Sequence, residues 1–320
     1  MRTNIVTATV DDFHALSRRN KMTTEVVAPP RCQACLSTDI QVHPASRRTG
    51  LVIHECRGCG LHALAERPEL DDLVELLDVD RDWFAGWVER TRGDVIDSSH
   101  AQVLDRLATM VGTGDDRSLF DVGAGEGGFL AMARDKGFRP AGNDVATGAI
   151  DLARERNGIE LFMGDLSTLG DIGQYDVVTM WCVLAHVPDG NRLLSDALEL
   201  LKPGGVLYLQ TPRWSAMDTA GMAAHDVTKG RSTRITDRRL ALHHMALHTP
   251  TSMRTNLERL GYEIVSIEPK VRYSLNTADY LGSLGVGQKA AERLAKPIDK
   301  LLERDLFFRN VIDVYARRPH

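Results

Sequence analysis

Four of the five cysteines form two closely spaced pairs in the first fifth of the chain. Cys32 and Cys35 make one Cys-x-x-Cys unit, Cys56 and Cys59 make the other, and twenty residues separate the two. Two such units at about this spacing predict one zinc ion held by four thiolates. Two disulfides or a redox pair are the alternatives, which an expected cytoplasmic location disfavours. A zinc ion with four protein ligands has no open position, so we expect it to stabilise structure and not to activate water.

A second motif is the glycine-rich segment DVGAGEGGF, which begins at Asp121. It lies between a predicted strand and a predicted helix, where glycines let the backbone approach a ligand and the helix offers free N–H groups. Asp144 follows Gly123 by 21 residues, at the end of the next predicted strand, where a carboxylate can accept hydrogen bonds from ribose hydroxyls. Because Gly123, Gly125 and Gly128 also satisfy G-x-G-x-x-G, this motif alone leaves a nicotinamide dinucleotide open.

The elements that must position these residues alternate between strand and helix from residue 118 onward. Apolar runs such as SLFDV, YDVVTMWCV and GGVLYLQT predict buried strands, and segments such as FLAMARDKG and NRLLSDALELL predict helices. This alternation predicts an α/β fold, in which a parallel sheet has right-handed crossovers and helices on both faces.

The sequence divides into four predicted segments. They are a mobile tail (1–28), a zinc-binding module (29–66), a helical linker or cap (67–114) and a catalytic domain (115–320) with insertions at about 213–250 and 272–308. The second insertion carries an apolar stripe that is suited either to cap an acceptor site or to pair two subunits. A homodimer is therefore one of the interpretations that the sequence leaves open.

Three further segments accompany the glycine-rich motif: GDL at 164–166, WCVLAH at 181–186 and LKPGG at 201–205. With Asp121 and Asp144, they resemble the class I methyltransferases that depend on S-adenosylmethionine and have a Rossmann-like fold. The resemblance spans about residues 97–270 and implies a seven-stranded sheet with helices on both faces. A zinc module before such a domain resembles bacterial methyltransferases that modify sugars, surface glycans or secondary metabolites.

The resemblance also implies roles for individual residues. The glycine loop would pass under the methionine part of the cofactor, Asp121 would face its amino group, and Asp144 would bind the ribose hydroxyls. Asp165 and Leu166 would contact the adenine, and Trp181 would lie near the cofactor. The implied cofactor-binding set is Asp121, Gly123, Gly125, Gly127, Asp144, Asp165, Leu166 and Trp181.

Three histidines are candidates for a general base, which a hydroxyl acceptor needs within hydrogen-bond reach near neutral pH. His186 follows the predicted fourth strand, at the sheet edge where open α/β folds bind ligands. His225 lies in the first insertion, and His244 precedes a helix predicted to begin near residue 251. Each can equally serve as a loop residue that contacts the backbone or solvent. Ala185 stands before His186 where related methyltransferases often carry Glu, so a metal-assisted reaction through that Glu is not expected.

Composition limits the partners. The chain has 39 Lys and Arg against 44 Asp and Glu, a net charge of −5, whereas non-specific nucleic-acid binding requires clustered positive charge. No apolar stretch is long enough to span a bilayer, and the first twenty residues lack the core of a secretory signal. We therefore expect a cytoplasmic enzyme that methylates a small molecule, with oxygen favoured over nitrogen or carbon. Methylation of RNA or protein, with the zinc module as a docking surface, and nicotinamide-dependent oxidoreduction are the alternatives.

Overall fold

The structure is a computed structural model that describes most of the chain. The described residues are 31–67, 81–91, 94–114, 116–241, 244–271, 277–283, 286–302 and 309–320. The tail predicted at 1–28 and the part of the predicted helical linker between residues 68 and 80 lie outside these ranges. Within the described ranges, no helix combines the length and the apolar character that a membrane crossing requires.

The strands and helices follow the predicted alternation. In chain order the strands are β1 (Ile40–Val42), β2 (Ile53–Cys56), β3 (His62–Leu64), β4 (Ser118–Val122), β5 (Arg139–Asp144), β6 (Phe162–Met163), β7 (Tyr175–Trp181), β8 (Leu201–Pro212), β9 (Ala246–Leu247), β10 (Glu263–Lys270) and β11 (Val311–Arg317). The α-helices are α1 (Arg81–Thr91), α2 (Asp94–Val111), α3 (Gly128–Asp135), α4 (Thr147–Leu152), α5 (Gly190–Leu200), α6 (Ala216–Val227), α7 (Arg234–Arg239), α8 (Pro250–Arg259), α9 (Thr277–Ser283) and α10 (Gln288–Leu302). A π-helical turn (Ala153–Asn157) extends α4, and 3-10 turns occupy Leu166–Thr168 and Leu184–His186.

The described residues group into two compact units. The described residues within Met1–Arg67, Pro212–Thr255 and Pro269–Ile312 form the first unit, and those within Pro68–Thr211, Asn256–Glu268 and Asp313–His320 form the second. The first unit thus contains residues of the Cys-rich segment together with residues of both predicted insertions. The four-segment division of the sequence stays a prediction.

The seven-stranded sheet has the order β10-β11-β8-β7-β4-β5-β6. Four consecutive pairs, from β8 to the edge strand β6, are parallel: β7 with β8, β4 with β7, β4 with β5 and β5 with β6. Every residue of β4 is buried, as expected for a parallel strand that is covered on both faces. Apolar residues of α2 and α3, such as Leu107 and Leu130, pack with Leu119, Val177 and Val206 in one core. The predicted α/β fold with a seven-stranded Rossmann-like sheet is confirmed.

A buried carboxylate binds the lysine of the Lys-Pro-Gly-Gly segment. Asp176, at the start of β7, accepts hydrogen bonds from the backbone N–H and hydroxyl of Ser118 at 2.9 Å, from Arg117 at 3.1 Å and from Lys202 at 2.7 Å. Burial acts to raise the pKa of Asp176, but the hydrogen bonds from Lys202, Ser118 and Arg117 outweigh it and hold this pKa at about 2. The ionised carboxylate therefore ties together the starts of β4, β7 and β8.

The smaller sheet is antiparallel and has the order β1-β2-β3-β9. Its last strand, β9, lies within the first predicted insertion. There Ala246 and Leu247 pair with Ala63 and His62 of β3. No helix was predicted from the sequence within this insertion, but it also contains α6 and α7. The start of α6 is fixed by a capping box in which Ser215 and Asp218 bind each other's backbone N–H groups.

Candidate functional site

The glycine loop follows β4 and leads into α3, both in the second unit. Gly123 has a φ of +67° and Gly125 a φ of +59°, the left-handed region that L-residues avoid. A Cβ on Gly123 would lie 2.7 Å from Val183 Cγ2, so the loop also lacks room for a side chain there. A Cβ on Gly125 would lie 3.5 Å from the ring of Phe84 in α1. The close approach at Gly123 therefore excludes a side chain, whereas at Gly125 it is the positive φ and not the space that favours glycine.

Asp144 links the end of β5 to this loop. Its Oδ2 accepts a hydrogen bond from Gly125 N at 2.8 Å, and its Oδ1 accepts one from Ala146 N at 2.9 Å. Burial raises the pKa of Asp144, although the backbone N–H groups of Ala146 and Gly125 act to lower it. A carboxylate has about four lone-pair positions, so two remain for ligand hydroxyls.

Asp121 is a buried acid at the end of β4, with a side chain that is almost inaccessible to solvent. Its Oδ1 accepts a hydrogen bond of 2.6 Å from Thr179 Oγ1 on the neighbouring strand β7. Burial raises the pKa of Asp121 to about 8, the hydrogen bond from Thr179 opposes this shift, and the negative charge of Asp144 adds to it. Thr179 was missed by the sequence analysis, because only the parallel register of β4 and β7 brings it opposite Asp121.

Two buried polar atoms near the carboxyl ends of the strands have no hydrogen-bond partner among the described residues. They are Asn143 Oδ1 and Trp181 Nε1. Asn143 also donates through Nδ2 to Gly164 O at 2.8 Å, which joins the end of β5 to the segment after β6. Unpaired buried groups of this kind are rare and raise the question of a missing ligand.

Asp165 caps the 3-10 turn that follows β6. Its Oδ1 accepts hydrogen bonds from the backbone N–H of Ser167 at 2.9 Å and from the Ser167 hydroxyl at 2.6 Å. Leu166 is buried beside it. The capping contacts fix the backbone at Asp165 and engage one of its two oxygens.

Trp181 ends β7 inside an aromatic cluster. Its ring centroid lies 4.3 Å from that of His100, 4.8 Å from that of Tyr208 and 5.1 Å from that of Phe129. The next residue, Cys182, has a positive φ of 64°, which turns the chain sharply after the strand. The rings hold the Trp181 side chain in one orientation at this turn.

The three candidate bases differ in their burial and in their hydrogen-bond partners. His186 ends a short 3-10 turn after β7, is half-buried and belongs to the second unit with the glycine loop. His225 and His244 belong to the first unit. His244 is half-buried and forms an isolated bridge with Ala241. His225 is fully buried, with Nδ1 at 3.1 Å from Thr236 Oγ1 and Nε2 at 2.6 Å from Pro44 O. Both ring nitrogens of His225 are therefore engaged, which gives it a structural role and not that of a base.

The four paired cysteines converge in the first unit. Cys32 Sγ lies 3.6 Å from Cys59 Sγ, and Cys35 Sγ lies 3.5 Å from Cys56 Sγ. A disulfide requires sulfurs about 2 Å apart, whereas the edge of a tetrahedron with Zn–S bonds of about 2.3 Å is about 3.8 Å long. All four side chains are free thiols, and their sulfurs lie within 4.8 Å of one another. The predicted cluster is present and its spacing suits a tetrahedral metal ion.

Two matching turns shape this cluster. Leu36 N donates to Cys32 O at 2.9 Å, and Gly60 N donates to Cys56 O at 2.7 Å. The φ angles at the turn residues are +62° for Leu36 and +75° for Gly60. Glycine is the residue type that favours such a φ, whereas the leucine of the first turn gives no sequence signal for the same left-handed conformation.

Comparison with known proteins agrees with this geometry. The methyltransferase domain family matches residues 89–267 of the chain. The chain is 28% identical over 148 residues to ubiquinone biosynthesis O-methyltransferases of Coxiella burnetii, a match that covers 44% of this chain and 61% of the relative. It is 30% identical over 153 residues to an uncharacterised 37.1 kDa protein in transposon TN4556 of Streptomyces fradiae, with 45% of this chain and 43% of the relative covered. The chain thus spans about three fifths or less of the length of these curated relatives.

A solved structure supports the same fold. It is the complex between the Haloferax volcanii Trm112 methyltransferase activator and a methyltransferase, with a TM-score of 0.50 and 17% identity over 74% of this chain and 98% of that chain. Since the methyltransferase domain family matches more than half of the residues and the sheet order and glycine loop fit it, this chain belongs to the class I, Rossmann-like methyltransferase domain family.

Proposed function

We propose that the chain transfers the methyl group of S-adenosylmethionine to an oxygen atom of a small molecule or sugar-containing metabolite. When bound, S-adenosylmethionine supplies an electrophilic methyl group on a positively charged sulfur. The observation that carries the proposal is the glycine loop, whose Gly125 N–H donates a hydrogen bond of 2.8 Å to the half-buried Asp144. The similarity to O-methyltransferases of ubiquinone biosynthesis supports oxygen as the acceptor atom.

The residues around the loop fit such a cofactor. Asp144 keeps two lone-pair positions for ribose hydroxyls. Asp121 would ionise beside an ammonium group, because an adjacent positive charge lowers the pKa of a carboxyl. Asp165 would accept from the adenine amino group, beside Leu166. The unpaired Trp181 Nε1 would gain an acceptor from a polar ligand, which is the role that such an orphaned donor invites.

The same residues hold and orient both reactants in our proposal. An in-line displacement requires the acceptor atom about 3 Å from the methyl carbon and in line with the bond that breaks. Gly123, Gly125 and Gly127 would keep the loop close to the methionine part of the cofactor. His186 would accept the proton of the acceptor hydroxyl, with His244 as the second candidate. We leave His225 out, because both of its ring nitrogens already have partners.

We propose that the four-cysteine cluster binds a structural zinc ion. The cysteines pack with Ala34, Leu61, Ala63 and Ala246 in one small core, so the ion would fasten both turns to the antiparallel sheet. The test is a zinc determination on the full chain after treatment with an organomercurial, which displaces zinc from thiolates. We expect about one zinc per chain to be released in this way. A folded chain that releases no zinc would exclude the structural ion.

The proposed activity is tested with methyl-labelled S-adenosylmethionine, the purified full chain and a bacterial extract separated by size. The proposal predicts that label enters the small-molecule or glycan fraction and that His186→Gln reduces this label. Label in RNA or protein would instead favour the alternative in which the Cys-rich module docks a macromolecule. A protein that binds reduced nicotinamide dinucleotide but not S-adenosylhomocysteine would contradict the methyltransferase assignment.

A further inference from the structure

A second group of metal-binding side chains lies on one face of the small antiparallel sheet. Glu55 in β2 pairs directly with His62 in β3, so their side chains project on the same side. His43 follows β1 and donates its backbone N–H to Ile53 O at 2.9 Å, which places it in register with the same face. Sheet pairing alone therefore gathers His43, Glu55 and His62, all within the first unit.

The distances suit ligands of a shared ion. His43 Nε2 lies 3.3 Å and His62 Nε2 lies 3.7 Å from the same oxygen, Glu55 Oε2. Two ligand atoms that are each about 2.0–2.1 Å from a tetrahedral zinc ion stand about 3.3 Å apart. A charge-assisted hydrogen bond between imidazolium and carboxylate is about 2.7–2.9 Å long. Both of these distances are longer than such a direct hydrogen bond. One ligand atom from each of the three residues falls within 4.8 Å of the others.

The outer contacts of both imidazoles fix the tautomer that a metal requires. His43 Nδ1 lies 2.9 Å from Asp226 Oδ1, and His62 Nδ1 lies 3.1 Å from Gly60 O. A carboxylate and a carbonyl only accept hydrogen bonds, so both Nδ1 atoms carry the proton and both Nε2 atoms present a lone pair. A carboxylate or carbonyl behind each metal-binding histidine is the usual supporting arrangement.

Packing holds these rings in place and leaves one side open. The His62 ring stacks on Trp214 with centroids 3.5 Å apart and planes 4° from parallel. His43 Nε2 is buried and has no hydrogen-bond partner among the residues that the structure describes. The Glu55 side chain is 30% exposed, so solvent reaches the carboxylate that the two histidines face.

We propose that His43, Glu55 and His62 form a second metal site, which binds a divalent transition-metal ion through two imidazole nitrogens and one carboxylate. Nitrogen and oxygen ligands suit ions such as Zn²⁺ or Fe²⁺ and differ from the four thiolates of the cysteine cluster. Three protein ligands leave the fourth position to water or to a ligand oxygen, unlike a closed four-cysteine site. Asp226 is a positioning residue that acts through His43.

The test loads the full chain with Zn²⁺, removes unbound metal and counts zinc per chain before and after the organomercurial. We expect about two ions in total, of which the reagent releases one. Glu55→Gln keeps the size of the side chain but removes its charge, and we expect it to lose the ion that the reagent leaves behind. Asp39→Asn, which changes an exposed carboxylate of the same segment, is the matched control and retains both ions.

Two further measurements separate the sites. Asp226→Asn should weaken Zn²⁺ binding at the second site by about 10- to 100-fold and leave the reagent-released ion unchanged. Co²⁺ at the second site should give a visible d–d band without the sulfur-to-metal absorption of the cysteine cluster. A wild-type chain that binds only reagent-released zinc, or a Glu55→Gln chain that binds as much zinc as wild type, would overturn the proposal.

Discussion

Replacement of Gly123 by alanine tests whether contact with Val183 excludes a side chain at this position of the glycine loop. An alanine at a φ of +67° costs roughly 1–2 kcal/mol in backbone strain. Its Cβ would also lie 2.7 Å from Val183 Cγ2, and overpacking of this kind costs about 1–3 kcal/mol. We therefore expect Gly123→Ala to lower the free energy of unfolding by about 2–5 kcal/mol and to weaken S-adenosylhomocysteine binding, because the loop must shift.

Gly170 provides the matched control. It has the same φ of +67°, but nothing lies within 4 Å of its would-be Cβ. Gly170→Ala should therefore lose only the backbone contribution of about 1–2 kcal/mol and bind S-adenosylhomocysteine like wild type. Urea unfolding and calorimetric titration measure both quantities, and Val183→Ala should partly rescue Gly123→Ala. Equal destabilisation of the two alanine variants, with unchanged ligand affinity in both, would refute the steric argument.

Three more predictions concern ionisable groups. Asp176→Asn should lower the free energy of unfolding by about 2 kcal/mol near neutral pH, because the folded-state pKa of Asp176 is held at about 2, below its unfolded value of about 3.9. This contribution is complete above the unfolded pKa and disappears as the pH falls towards 2, so equal pH profiles for variant and wild type would contradict it. Because burial raises the pKa of Asp121 to about 8, binding of S-adenosylhomocysteine near neutral pH should release a proton, seen as a buffer-dependent binding enthalpy that Asp121→Asn abolishes. His186→Gln should reduce methyl transfer by about 100-fold or more without weakening S-adenosylhomocysteine binding; a parallel loss of affinity would assign His186 to ligand binding instead.

The sequence predicts the large sheet well because each of its central strands is an apolar run that can be recognised without its neighbours. Runs such as SLFDV and YDVVTMWCV are apolar almost throughout, and they form β4 and β7 within one or two residues of the predicted bounds. Turn glycines and acidic residues at strand ends also locate the loop at Gly123 and the carboxylate of Asp144. Local sequence therefore suffices to predict a feature that depends on a single strand or helix and the residues at its end.

Features that depend on pairing between distant segments were not predicted. Thr179 meets Asp121 through parallel register, and Leu247 joins the small sheet beside His62 although 184 residues lie between them. The antiparallel pairing within the small sheet gathers His43, Glu55 and His62, whose spacing along the chain matches no metal-binding motif. His225 was a candidate base in sequence, but burial and two hydrogen bonds reveal a structural role.

Binding of the cofactor at the glycine loop is tested most directly by calorimetric titration of the full chain and of Asp144→Ala with S-adenosylhomocysteine. We expect the wild-type chain to bind this ligand in preference to reduced nicotinamide dinucleotide. We expect Asp144→Ala to abolish the binding, because the variant loses both the ribose acceptor and the hydrogen bond that anchors Gly125. Unchanged affinity in Asp144→Ala, or selective binding of the nicotinamide dinucleotide, would contradict cofactor binding at the glycine loop.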